Sequence, residues 1–417
     1  MKKYWIKFCA FFALSAAVCA FAVFISNMWD TPAVPAVAQT TEIEFYQQRE
    51  EAMEGFSQVI ARYEEEHPGV KIRQQNIPNA LELLVARMQR GDVPDIFTNW
   101  PTQLSFIRAA ERGLLLDLSE QPFLEAIDPA TLEMSRAPDG KVYALPINRN
   151  CMEVYYNADI FRTYGLKEPQ TIDEMFLLCD RLQQSGIVPM VFCVRDSRIG
   201  HVAQIVLSVL VDDYLTQLGR LGNGTISPQA REQMEAAFDV MLRLGGYGGD
   251  SPNAYTYYEA CERFASGKAA MYISGSYALN AIENFDPEIE IDVFPLPGYT
   301  ADRRVMLTSV DTALCISAQT PLKEETLQFL SYMTQPEIAT LYAAHDVAPS
   351  CIVGALQENP ITLKMQEHIE TFEHTEWIKS RYSLESAMAF EDAVCAYMIT
   401  GDLKTLMDTL TRAFAGA

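Results

Sequence analysis

Between Ile43 and Trp100 the apolar residues change period repeatedly, and that change restricts the fold more than any other feature of the chain. Ile43 and Phe45 alternate as in a strand, whereas Met53, Phe56, Val59, Ile60 and Tyr63 recur with the spacing of one helical face, which Pro68-Gly69 stops. Val70 and Ile72 open a second strand, and Leu81, Leu84, Val85 and Met88 line a second helix closed by Gly91. Pro94-Asp95-Ile96-Phe97 then enters a third strand ending at Thr98-Asn99-Trp100. The order βαβαβ is that of an α/β lobe.

At 417 residues the chain exceeds one typical compact core, so two lobes are expected. A net charge of -23, from 55 acidic and 32 basic residues, repels phosphate backbones, and no basic run offsets it. Nucleic acid is therefore excluded as a partner, and the charge reads as a solvated surface. Lys2, Lys3 and Lys7 precede an apolar run from Phe8 to Ile25 and a Pro/Ala-rich stretch from Thr31 to Ala38. This is a targeting segment. It fits either a signal peptide cut after Ala36-Val37-Ala38 or a retained anchor, and the positive-inside rule puts everything after Ile25 outside in both cases. Cys151, Cys179, Cys193, Cys261, Cys315, Cys351 and Cys395 follow it, without CxxC and each within an apolar pattern, so buried free thiols are expected.

A second junction lies at Phe264 to Tyr277. Gly267 suits the left-handed end of the helix carrying Tyr258, Cys261 and Phe264, and Ala269 to Ile273 has the length and apolarity of a buried strand. Ser274-Gly275-Ser276 then offers an N-cap for the next helix. Thr171-Ile172-Asp173-Glu174 is a capping box ahead of another. Gly245 to Gly249 follows a helix rather than a strand and reads as a turn, not a nucleotide loop.

No nucleophile elbow, no His-Glu-x-x-His and no phosphate-binding loop is present. His368 and His374, the closest histidine pair, lie about 120° apart around a helix, so neither a metal nor a cofactor is expected. Planar aromatic faces and forked polar groups at strand ends instead suit a sugar. Ligands of open α/β sheets sit outside the carboxyl ends of strands, which makes Tyr46 and Gln47 after the first strand, and Asn99 and Trp100 after the third, the first candidates. Trp100 precedes Pro101 and faces the loop.

Several phrases resemble the extracellular solute-binding proteins of ABC importers, in particular the large sugar-binding family to which the maltose-binding proteins belong. They run from Tyr63 to Ile72, from Gly91 to Phe97, from Asp139 to Pro146 and from Phe264 to Tyr277, where Tyr277 stands in place of the family's usual Trp. The resemblance spans Ile43 to Thr411. It implies a type II periplasmic-binding-protein fold, two α/β lobes of mixed sheet flanked by helices with the ligand cleft between them. Residues 1–41 would be the leader, 42–150 with 301–349 the first lobe, and 151–300 with 350–417 the second. It places Asn148, Arg149 and Asn150 at a lobe crossing that lines the cleft, with Arg149 equally able to bridge the lobes as an ion pair. From the second lobe it implies Arg195 and Asp196, near His201, together with Ser276 and Tyr277, and from the first Asp311. Ala16-Ala17-Val18-Cys19 is similar to a lipidation signal, although Val18 occupies a position that takes Gly, Ala or Ser. The implied function is capture of a mono- or oligosaccharide by a monomer that delivers it to ABC permease subunits. A polyamine receptor, a sensor ectodomain and a secreted glycan hydrolase using two convergent carboxylates are the alternatives.

Overall fold

The computed structural model describes residues 40–77, 80–249 and 254–416. The leader, with its cleavage, anchoring and lipidation readings, lies outside the described residues. Nine strands are described: β1 (Thr41–Tyr46), β2 (Val70–Gln75), β3 (Ile96–Asn99), β4 (Leu145–Asn157), β5 (Met190–Val191), β6 (Met271–Gly275), β7 (Ile291–Phe294), β8 (Val305–Ile316) and β9 (Glu373–Thr375). The main path runs β2-β1-β3-β8-β4-β6-β5, with β7 beside β4 and β9 beside β8.

Two lobes share this sheet. In the first, β1 pairs in parallel with β2 and β3, and β8 closes the set antiparallel to β3. In the second, β6 and β7 run antiparallel to β4, and β5 runs parallel to β6. What joins the lobes is the length of β4 and β8, 13 and 12 residues, both buried along their whole length. Leu145 to Cys151 of β4 pair with β8, whereas Met152 to Asn157 pair with β6 and β7. The strand thus changes lobe without a loop.

Each lobe has its own core. The first packs Ile43, Phe45 and Phe56 against Phe329 and Tyr342, and the second packs Met175, Ile205 and Phe238 against Phe390 and Leu410. The Ile199–Leu210 helix is apolar almost all round because it lies inside the second core, and Gly200 lets Glu391 approach where a Cβ would stand 2.6 Å from its Cγ. Among the described residues no single helix is long and apolar enough to cross a membrane.

Packing moves two of the expected lobe boundaries. Val305 and Leu307 belong to the second core, so the change falls within β8 rather than at residue 301. Cys351 and Ile352 still pack in the first core, although Val347 before them is already buried with Met365 and Ile369 of the Pro360–Thr371 helix, which packs in the second lobe. At the first boundary the continuous strand β8 carries the chain past the point where sequence phrases change.

The seven cysteines after the leader are free, and all but Cys395 are buried. Burial pushes the Cys179 and Cys351 thiols up to about 12. A thiol reagent at neutral pH should therefore label at most Cys395 in the folded protein and all seven in denaturant. Rapid labelling of several thiols under native conditions would contradict this packing.

Candidate functional site

A cavity of 270 Å³ opens between the lobes at the carboxyl ends of β1 and β3. Gln48, Arg49 and Glu51 enter it from the turn after β1, and Trp100, Thr102 and Gln103 from the turn after β3. Arg198, His201 and Tyr277 face them from the second lobe, with Trp377 at the start of the Ile378–Arg381 helix and Lys379 and Ser380 within it. Asn150 of β4 and Ser309 and Asp311 of β8 form the floor.

The floor is a chain of committed polar groups. Asn150 Nδ2 donates to Asp311 Oδ1 at 3.1 Å, while Asn150 Oδ1 accepts from Ser309 N at 3.1 Å and from the Trp377 indole N–H at 3.2 Å. Arg49 Nη1 lies 3.1 Å from Asp311 Oδ2 and 3.0 Å from Asp346 Oδ2. The Arg49–Asp311 contact is an ion pair without hydrogen-bond alignment, so Asp311 Oδ2 keeps acceptor capacity toward the cavity. Burial raises the Asp311 pKa even beside Arg49, and although burial alone would lower it, Asp311 and Asp346 hold Arg49 firmly protonated.

On the second lobe Arg198 stacks 4.1 Å from the Tyr257 ring centre and 5.6 Å from that of Tyr277. Ser197, at φ 62°, turns the chain to bring Arg198 inward. His201 Nδ1 meets the Tyr277 hydroxyl at 3.1 Å, and its ring stands edge-on to Trp377, with centres 5.1 Å apart. Burial, then Lys379 and Arg198, lower the His201 pKa well below its usual value. Glu391 lies 3.7 Å from Nε2 but is closer to Lys379, at 3.2 Å, which answers its charge.

Of the residues expected from sequence, Trp100, Asn150, Tyr277 and Asp311 are brought together in this cavity. Tyr46 is placed in the first-lobe core with its hydroxyl donating to the Ala80 carbonyl, and Gln47 folds back so that its Oε1 accepts from Arg49 N. Asn99 Oδ1 caps Trp100 N. Asn148 Nδ2 donates to Asp346 Oδ2 at 2.7 Å, one layer behind the cavity. Arg149 lines a different cavity and makes no lobe-bridging ion pair among the described residues. Arg195 is exposed, 3.8 Å from Glu259, and Asp196 accepts from Tyr257 N at 2.7 Å. Ser276 is buried, with its backbone N–H bonded to Cys151 O.

The Ser274-Gly275-Ser276 cap does not form. Ser274 and Gly275 belong to β6, where they pair with Glu153 and Met152, and the Ala278–Phe285 helix starts without a side-chain cap. Gly275 has another role: a Cβ there would stand 2.1 Å from the Tyr277 ring, so only glycine lets that ring fold back to His201. Sequence reasoning missed Arg49, Arg198 and Trp377. A signal for the last existed: Trp5 and Trp29 precede the described residues, so Trp100 and Trp377 are the remaining tryptophans of four, and they line one cavity.

A two-lobed α/β protein with an aromatic and polar cavity at the strand ends between its lobes has the architecture of a solute-binding protein. Residues 46–340 match the bacterial extracellular solute-binding protein family, and the chain belongs to it. It is 26% identical over 383 residues to the multiple sugar-binding protein of Streptococcus mutans, covering 89% of each chain. The melibiose/raffinose/stachyose-binding protein MelE of Bacillus subtilis is 24% identical over 305 residues, 71% of this chain and 70% of that one. Among solved structures, RafE in complex with raffinose is 27% identical with a TM-score of 0.82 over 90% of this chain and 99% of the other. Ligand-free RafE from Streptococcus pneumoniae gives 0.78 over 90% and 97%.

Removing Arg49 leaves two buried carboxylates unanswered, a loss of about 3–5 kcal/mol. Arg49→Met should show that drop in urea unfolding, and a change under 1 kcal/mol would deny the cluster its structural role. A second expectation concerns pH. The folded His201 binds its proton more weakly than the unfolded one, so its contribution is complete above about pH 6.5 and is lost as pH falls. Urea midpoints should decline more steeply toward about pH 5 in the native chain than in His201→Gln, and parallel declines would remove His201 as a cause.

Proposed function

We propose that this protein is the capture receptor of a carbohydrate importer, with the cavity holding a terminal sugar unit of an oligosaccharide. The observation that carries this is one tryptophan from each lobe, Trp100 and Trp377, over a floor of Asn150, Asp311 and Arg49. Aromatic faces suit the apolar side of a pyranose, and the carboxylate, amide and guanidinium groups suit its hydroxyls. A cavity of 270 Å³ is at the small end for organic ligands, which favours one end of the sugar inside and the rest toward the mouth. The relatives named for multiple sugars and for raffinose argue for an oligosaccharide of that class.

Closure about the β4 and β8 crossings would be the capture step. The higher likeness to RafE with raffinose than without it, 0.82 against 0.78, supports a nearly closed arrangement. So does the Ile378–Arg381 helix, which touches the Leu104–Glu111 helix across the mouth. Trp100, Asn150, Tyr277, Asp311, Arg49 and Trp377 would be the contacts. The receptor would work as a monomer at the outer face of the membrane, present the closed form to ABC permease subunits and carry out no hydrolysis. Asp311 is held by Arg49 and Asn150 in a way that suits an acceptor rather than a nucleophile.

Titration calorimetry with raffinose, melibiose, maltose and spermidine tests the reading. A saccharide should bind, and Trp100→Ala and Trp377→Ala should each weaken it by about 10- to 100-fold, as loss of an aromatic contact implies. Binding of spermidine alone, or turnover of a chromogenic glycoside, would replace the proposal with a competing class.

A further inference from the structure

The residues of β4 alternate in direction, so Asn148 and Asn150 face the sugar cavity side while Arg149 faces the opposite side of the sheet. There it borders a second cavity of 500 Å³ on the back of the lobe crossing. Asp128, Thr131 and Ile352 line this cavity from the first lobe, and Gln366, Glu370 and His374 line it from the second.

Arg149 is only 8% exposed, yet its Nε has no partner. Its Nη2 has only a long contact, 3.4 Å, to Thr308 Oγ1, and among the described residues no carboxylate lies within 4.0 Å of it. Arg49, buried to a similar degree, is answered by two carboxylates. An enclosed guanidinium without a counter-charge is costly, and here it borders space large enough for one.

We propose that Arg149 anchors a second ligand site, distinct from the sugar cavity, that takes a small carboxylate monoanion. The planar guanidinium fork matches two carboxylate oxygens. The acidic walls set the charge limit. Asp128 Oδ2 accepts from Thr131 N and Oγ1, and Glu370 Oε1 accepts from Gln366 Nε2, so both carboxylates are occupied but still repel a dianion. Because both lobes supply walls, occupancy favours one lobe angle over another, and it thereby changes sugar affinity. That coupling rests on the sugar-receptor reading; the anion site itself does not.

The test uses sodium acetate on the whole protein without sugar. Saturation-transfer NMR should show the acetate methyl group bound to the native chain, and acetate should raise the thermal midpoint by about 2 °C or more over sodium chloride at equal ionic strength. Arg149→Met should abolish both effects. Ala130→Glu, at an exposed residue on the cavity wall, should do the same by placing a tethered carboxylate in the site. That second variant decides the matter if Arg149→Met fails to fold. Absence of acetate transfer to the native chain, or transfer that survives Ala130→Glu, would overturn the site, and an equal response to sodium phosphate would overturn the assignment to a monoanion. With a binding sugar, acetate should change its affinity at least twofold in the native chain and not in Ala130→Glu; an unchanged affinity would overturn the coupling alone.

Discussion

The Arg49 guanidinium between Asp311 and Asp346 is the interaction on which the first-lobe wall and the cavity floor depend. Arg49 lies in the turn after β1, Asp311 in the middle of β8, and Asp346 just past the Pro336–Ala343 helix. Asp346 also accepts from Asn148 Nδ2 and from the Tyr342 hydroxyl at 2.6 Å. Four distant segments thus meet at one buried charge cluster. Such a cluster adds little net stability over a well-packed apolar one, but removal of one member is expensive. Its effect is to fix position: the turn carrying Gln48 and Glu51 cannot shift without breaking an ion pair.

That cluster explains why β4 and β8 are polar in the middle while wholly buried. A strand buried on both faces ordinarily reads as a near-continuous apolar run. Asn148, Arg149, Asn150 and Glu153 interrupt β4, and Thr308, Ser309, Asp311 and Thr312 interrupt β8. Their side chains bond across the pair, as Thr308 Oγ1 does to Asn150 O at 2.6 Å. Where two lobes share a strand, helices cannot cover it, and polar groups replace the missing apolar cover. The cavity floor and the lobe junction are therefore the same residues.

The fold was legible because its signals are local. Period changes from Ile43 to Trp100 and the cap at Thr171 report on neighbouring residues only. The cavity was legible in part. Placing ligand contacts at strand ends located the right turns and Trp100 itself but fell short after the first strand: β1 ends at Tyr46, whose ring enters the core, and the cavity begins at Gln48. In the second lobe the family resemblance pointed to Arg195 and Asp196, whereas Ser197 in the left-handed region delivers Arg198 instead. No glycine marked that turn. Trp377 comes from a polar stretch far along the chain; its residue type was a signal, but its contact with Asn150 is made only by the fold.

Tyrosine at 277 is better understood from its neighbours than from the tryptophan it replaces. Its ring lies over Gly275, where any Cβ would collide, and its hydroxyl is fixed by the His201 imidazole. An indole at this position would carry no hydroxyl for His201, and its larger ring would compete for the space Arg198 occupies above Tyr257 and Tyr277. The substitution therefore exchanges apolar area for an ordered cation beside the cavity. With Trp377 committed to Asn150 and Asn150 to Asp311, the polar groups are set before a ligand arrives, and less ordering remains to oppose binding. The Arg198 guanidinium makes no ion pair among the described residues; it stacks on Tyr257 and Tyr277, which holds the cation at the cavity wall.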